Sequence, residues 1–274
     1  MKKLLAALLL AFAAASPALH GAHFAIQCGK YKVLISNGGT PYQFSYAGTI
    51  LAHGVSYTIQ LPPQDGKVRY AYPNTKFDKT VSIKVTRDGE EVKTLAGIVS
   101  GKEVKVVRTG KCENIRTTLT TVVTEKNITF STQFETEADQ EIIQLYAVTI
   151  AWDTHTADWI AKMQNESFTT GKFESKNAFH LHRTNQRTLW YAVLIPGKKI
   201  GAVAVPDDET AMAGGIRFWD RALPNQHQMI YQPIYPKMLK AKFKTVEHKM
   251  TVTGFSASPE TFKAEAEKIA EAEE

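Results

Sequence analysis

The sequence predicts an all-β fold, a large antiparallel β-sandwich closed by one short C-terminal helix. Three observations predict it. Most of the chain alternates apolar with polar or β-branched residues at a period of two. Turn signals punctuate those runs at short intervals, and only the last residues switch to helical spacing.

The chain of 274 residues opens MKKLLAALLLAFAAASPA. Lys2 and Lys3 form a positive start, Leu4 to Ala15 an uncharged apolar run, and Ser16-Pro17-Ala18 a small-residue cleavage signal. This is the pattern of a secretory signal peptide over residues 1–18, and the run is too short to span a bilayer. The sequence therefore predicts an exported, secreted or periplasmic protein, with residues 19–274 as a single domain and no membrane contact after the leader is removed. Removing the leader takes away two lysines and no acid, so the net charge falls from +6 to +4. Acids and bases are interspersed, no nucleic-acid motif occurs, and the densest basic run, KMLKAKFK (237–244), reads as a solvated edge or loop. Cys28 and Cys112 in an oxidising compartment predict one disulfide, worth about 4 kcal/mol by loop closure. The alternative is two buried thiols. No CxxC or Cys/His cluster suggests structural zinc, and no cofactor motif is present.

The mature chain of about 255 residues shows no linker and no repeat. KYKVLIS (30–36), VSYTIQL (55–61), TVSIKVT (80–86), EVKVVRT (103–109), IRTTLTTVVTE (115–125) and NITFSTQFE (127–135) read as strands. Asn37-Gly38-Gly39, Asp88-Gly89 and Glu125-Lys126-Asn127 read as the turns between them. EIIQLYAVTIAW (141–152) is long and mostly apolar, as expected of a strand buried on both faces. TLWYAVLI and KIGAVAVP form a hairpin around Pro196-Gly197-Lys198. At the end, Phe262, Ala266 and Ile269 fall at helical spacing, with Ser258 as the expected cap and Pro259 at the first helical position.

The stretches YKVLISNGGTPYQFSYAGTIL (31–51), NITFSTQFETEADQEIIQLYAVTIAWD (127–153), TLWYAVLIPGKKIGAVAV (188–205) and FSASPETFKAEAEKIA (255–270) resemble, in strand order and glycine placement, the galactose mutarotase-like β-supersandwich. The resemblance covers most of the mature chain. It implies a twisted sandwich whose concave sheet binds sugars, as in aldose 1-epimerases, sugar-phosphate epimerases and domains of polysaccharide lyases and glycosidases. Aldose 1-epimerases are similar in using two histidines and a carboxylate. Their histidine motifs are absent here, as is a lyase set of Asn, His, Tyr and Arg, so no family residue is carried over.

Candidate chemistry sits in three places. In AFHLHR (178–183), strand parity puts His180 and His182 on one face, opposite Phe179 and Leu181. Imidazoles there can act as acid or base near neutral pH, with Glu174 as a carboxylate partner and Arg183 beside them. The alternative is a solvent-facing pair on an amphipathic strand. No acid follows the pair and no glycine directly precedes it, which argues against metal. AWDTHTADW (151–159) offers Trp152 and His155 for stacking and hydrogen bonding. The alternative there makes the tryptophans core anchors and Asp158 the cap of a helix over 159–163. GGIRFWDRALPNQHQ (214–228) offers Arg217, Trp219 and Arg221, where an arginine can hold a uronate carboxylate. KVRYAYPN, with Arg69, Tyr70 and Tyr72, is a further candidate of the same kind.

The resulting expectation is an exported carbohydrate-binding protein. Its groove is lined by His180, His182, Arg183 and Trp190 (in preference to Tyr191 on the opposite face), with Trp152, His155, Arg217 and Trp219 at the rim. The partner is a mono- or polysaccharide, uronic acid included. Two alternatives stand beside it. One is an enzyme on the same scaffold, a sugar epimerase or polysaccharide lyase using histidine acid–base chemistry, and the other is a structural envelope protein without a sugar site.

Overall fold

The computed structural model describes residues 22–174, 178–182, 187–223 and 226–273. Two ten-stranded sheets lie against each other. The first runs from its edge strand Ala178–His180 through Gly214–Leu223, Gln226–Pro233, Gln144–Asp153, Thr49–Gln64, Pro41–Tyr46, Tyr31–Ser36 and Ala22–Cys28 to Ile98–Ser100, with Lys67–Ala71 also paired to Thr49–Gln64. The second runs from Phe168–Lys172 through Asp158–Met163, Thr188–Ile195, Ile200–Pro206, His248–Ser256, Ile128–Thr136, Ile115–Thr124, Glu103–Cys112 and Lys79–Arg87 to Glu90–Glu91. The period-two runs thus form strands because alternation lets each bury one face. The 159–163 segment is part of a strand rather than a helix. The hairpin around Pro196–Lys198 forms as the turn residues predict.

The main core fills the space between the sheets, with Phe44, Tyr57, Ile59 and Trp152 from the first sheet meeting Leu119, Phe130, Phe134 and Tyr191 from the second. A second apolar cluster lies on the outside of the second sheet, where Trp190, Leu194, Val203 and Phe255 are covered by Phe262, Ala266 and Ala270 of the helix Phe262–Glu273. That helix begins at Phe262 rather than Pro259. Residues Ser258–Thr261 form a turn instead, in which the Thr261 N–H donates to the Ser258 carbonyl at 3.1 Å.

Several expectations are corrected by this packing. Trp190 faces the helix and is 1% exposed, so it lines no groove; its neighbour Tyr191 faces the inter-sheet core. Trp152 is fully buried against Phe44 and Tyr191 and serves as a core anchor. His182 does not share a face with His180, because the strand ends at His180 and both the Leu181 and His182 N–H groups turn onto the Ile216 carbonyl. His182 is buried, with Nδ1 2.6 Å from the Thr188 hydroxyl, and burial brings its pKa down to about 4. The expected disulfide is not formed. Cys28 sits beside Gly101 and Val104, whereas Cys112 lies eight residues beyond Val104 on the same strand, roughly 26 Å away at strand rise. Both thiols are buried, and desolvation pushes that of Cys112 up to about 12.

One polar network crosses the core. Arg108 and Asp78 form a fully buried ion pair. The Tyr57 hydroxyl donates to Asp78 at 2.6 Å and accepts from Arg108 at 2.6 Å, and it lies 2.5 Å from the Thr117 hydroxyl. Arg108 also donates to the Gly38 carbonyl at 3.0 Å. Gly110 makes the room, since a Cβ there would lie 2.3 Å from the Arg108 guanidinium and 2.6 Å from the Thr117 hydroxyl.

Two bulges reshape the strands at the centre of the first sheet. Along Gln144–Asp153 the pairing with Thr49–Gln64 shifts between Tyr146 and Thr149, placing both Ala147 and Val148 in the core. The Ala147 carbonyl accepts from the buried Thr132 hydroxyl of the opposite sheet at 2.6 Å. Along Thr49–Gln64 the pairing shifts between Ala52 and Val55, with Gly54 at φ +154°. An ordinary alternation would send residue 53 inward with Leu51, Val55 and Tyr57; the extra residue turns His53 to the outside.

Among the described residues no helix is long and apolar enough to cross a membrane, and no group of three His, Cys, Asp or Glu residues is placed to hold a metal.

Two predictions follow from burial. Removing one member of the ion pair, by Asp78→Asn or Arg108→Leu, leaves the other charge uncompensated and should cost about 3–5 kcal/mol of unfolding free energy. Chemical denaturation measures it. Secondly, His182 and the fully buried His248 both have a pKa lowered from 6.5 to about 4 by desolvation. The unfolded chain binds protons at these positions that the folded chain refuses, so stability should fall as pH drops from about 6.5 to about 4 and level off below. The denaturation midpoint followed across that window should drop, and replacing His248 with Gln should flatten the slope relative to the parent chain.

Candidate functional site

Alternation sends one set of side chains from the central strands of the first sheet to its outer face. Residues aligned across as many as five strands form successive rows. His180 pairs with Arg217, Arg217 with Ile230, Ile230 with Thr149 and Thr149 with Ser56. In the next row Trp219 pairs with Gln228 and Gln228 with Ala151. The third row places Gln226 beside Asp153. The middle of this face is recessed, because Tyr146, Thr149, Ala151, Asp153 and Gln228 are each less than a tenth exposed although they point away from the core.

At one end of the face Asp153 is held between two imidazoles. His53 Nε2 lies 2.7 Å from Asp153 Oδ2. His155 approaches Oδ1 twice, with its backbone N–H donating at 2.8 Å and its ring Nδ1 at 2.7 Å. The Asp153 side chain is 10% exposed, that of His53 29% and that of His155 82%, so the cluster grades from buried to open. Burial raises the carboxyl pKa, but the hydrogen bonds from His53 and His155 outweigh it and hold the group at about 2. The stabilisation this represents is complete above about 3.8 and is lost as pH falls through about 2. The arrangement presents an ionised carboxylate as an acceptor and an oriented imidazole beside it.

At the other end the Arg217 guanidinium sits over the Trp219 ring, its carbon 4.4 Å from the ring centre. Its charge reaches the Tyr146 hydroxyl, offsetting part of the rise that burial imposes on that phenol, and Tyr70 lies within electrostatic range of the same group.

Of the residues singled out in the sequence, His155, His180, Arg217 and Trp219 come to this face. Glu174 is exposed, with its backbone N–H donating to Asp220 at 2.6 Å. Trp152, Trp190 and His182 are in the interior. Arg183 lies outside the described residues. Asp220 and His227 point inward, 2.9 Å apart, with His227 stacked on Phe173. Sequence reasoning missed His53 as a site residue and counted Asp153 only as one of the two aspartates of AWDTHTADW that suit sugar hydroxyls. The signal available was Gly54 inside a strand pattern, which marks a bulge able to re-aim its neighbour.

No protein-family model matches the chain, and no curated protein matches it in sequence. Solved structures match its architecture. A GH36 alpha-galactosidase from Geobacillus stearothermophilus, in complex with stachyose, superposes with a TM-score of 0.57 and 11% identity over 90% of this chain. The match spans 42% of the galactosidase. A galactose mutarotase-like protein from Lactobacillus casei matches with a TM-score of 0.51 and 7% identity over 84% of this chain and 99% of its own. A putative aldose 1-epimerase from Escherichia coli K12 matches with a TM-score of 0.50 and 10% identity over 85% of this chain and 98% of its own. The chain has the galactose mutarotase-like sandwich fold, and its structural neighbours are carbohydrate-related proteins.

Proposed function

We propose that the protein binds carbohydrate on the outer face of the first sheet and, given its leader-like N-terminus, works outside the cytoplasm. The observation that carries the reading is Asp153, a nearly buried carboxylate kept ionised by two imidazoles and turned outward. A fixed carboxylate accepts hydrogen bonds from neighbouring sugar hydroxyls. Trp219 supplies an aromatic face for a ring, and Thr149, Ser56 and Gln228 supply hydroxyl and amide partners in the rows between. The galactosidase complex with stachyose and the putative epimerase share the architecture, which supports a saccharide as the ligand class.

A second reading, catalysis of sugar epimerisation, is favoured by the 2.7 Å contact between His53 and Asp153, which fixes one ring nitrogen of an imidazole on a carboxylate. Cleavage by a lyase needs a base near the acidic sugar, and the expected His180–His182 pair is split between surface and interior.

Binding to neutral and acidic oligosaccharides by calorimetry tests the first reading. Asp153→Asn should weaken the bound sugar about 10- to 100-fold, the loss of a charged hydrogen-bond acceptor, without changing the far-ultraviolet spectrum. No heat with any saccharide overturns it. Gly54→Ala forces a side chain into a backbone region suited to glycine and should re-aim His53. Under the catalytic reading it should lower anomer interconversion, followed by NMR, more than it lowers affinity; absence of interconversion in the parent protein leaves binding alone. Export is tested separately, by whether the N-terminus of protein recovered from culture begins just after Ala18.

A further inference from the structure

The two ends of the outer face carry opposite chemistry, and this says something about the ligand. Asp153 and Arg217 lie two strands apart laterally and four residues apart along the sheet, since Asp153 shares a row with Gln226 and Arg217 a row with Ile230 and Thr149. At strand spacing and rise this is roughly 16 Å between backbones, more than one sugar ring can bridge. Trp219 sits in the row between them, so an aromatic face separates a hydroxyl-accepting end from a cationic end.

Resting on the carbohydrate-binding reading, we propose that the ligand is an acidic oligosaccharide. One sugar unit binds at the His53–Asp153 end, a second stacks at Trp219, and a sugar carboxylate is gripped by Arg217. The guanidinium carbon lies 4.4 Å from the centre of the Trp219 ring, and this cation–π contact holds the cation at the sheet surface. A planar fork fixed in this way suits a planar carboxylate, which it can hold by two parallel charged hydrogen bonds. The Tyr146 hydroxyl, which donates to the Gln144 side-chain carbonyl, lies within the field of the same guanidinium. His180, aligned with Arg217 across the edge strand, adds a second nitrogen-bearing side chain of the same face. The net charge of +4 left once the leader is removed helps draw an anionic polymer to the protein.

The test compares a galacturonic-acid oligosaccharide with its carboxyl-reduced, neutral counterpart by calorimetry, on the full-length protein and on Arg217→Met and Arg217→Lys. The acidic sugar should bind about tenfold or more tightly than the neutral one, and added salt should narrow the gap. Arg217→Met should remove the gap, and an unchanged far-ultraviolet spectrum and denaturation midpoint show that the variant is folded. Arg217→Lys, which keeps the charge and loses the fork, should restore only part of it. Equal affinity of the parent protein for the two sugars overturns this proposal and leaves carbohydrate binding standing. A gap that survives Arg217→Met overturns the assignment to Arg217. Tighter binding of a sulfated oligosaccharide than of the carboxylated one overturns the choice of carboxylate. Absence of binding to all three overturns both this proposal and the carbohydrate reading beneath it.

Discussion

The buried pair of Arg108 and Asp78 is the constraint on which the inside of the sandwich depends. Two charges enclosed between apolar layers are tolerable only if every donor and acceptor is met. Here the requirement draws on distant parts of the chain: Tyr57 from the first sheet, Thr117 from the second and the Gly38 carbonyl from a turn. Each partner can occupy only one position along its strand if the network is to close. The network therefore sets how the two sheets lie on each other, a specificity that apolar contacts alone supply poorly because they slide. It also anchors Thr49–Gln64, since Tyr57 faces inward on the strand whose outward side carries His53.

From that anchor the outer face follows through local irregularities rather than regular alternation. Between Tyr57 and His53 the strand takes one extra residue at Gly54, and between Tyr146 and Thr149 its neighbour does the same. A bulge leaves backbone groups without ladder partners, and in a buried strand they must be met elsewhere. The Thr132 hydroxyl meets one of them across the core, which is why a polar side chain stands fully buried among apolar neighbours there. The two bulges bring an imidazole of one strand to the carboxylate of the next, a hundred residues away in sequence.

The fold was legible because its information is local and repeated. Runs such as IRTTLTTVVTE declare their inward face at every second residue, and the helix shows its change of period. The site was legible only in part, and more by residue type than by that rule. Arg217 and Trp219 were picked out by composition in a stretch that reads as a turn-rich loop; it is in fact the strand Gly214–Leu223, whose alternation puts both on one face. The same rule misplaced His182, since the chain leaves the strand after His180, and the choice of Trp190 over Tyr191 for the groove failed because both faces of that strand are covered. His53 was hidden for the converse reason, as alternation counted back from Tyr57 points it inward. The cysteines were misjudged on a different ground: an oxidising compartment permits a bond, but only the packing shows Cys28 beside the start of the strand Glu103–Cys112 and Cys112 at its far end.

The charge state of Asp153 limits what chemistry this face can perform. A carboxyl group held near a pKa of 2 keeps its proton off at any ordinary pH, so it donates no proton to a sugar oxygen. The same interactions that keep it ionised make it a weak base, since a good base near neutrality has a pKa close to the working pH. Its capacities are those of an acceptor and an orienting group. It accepts from hydroxyls, and through Oδ2 it fixes the tautomer and direction of the His53 ring. Any proton that moves at this end of the sheet must therefore move through an imidazole. His53 is the one set for it, because it is partly shielded from solvent and braced, whereas the His155 ring stands mostly in water. The two proposed readings, binding and catalysis, would thus share one apparatus on this face and differ only in whether a sugar oxygen comes within reach of the braced ring.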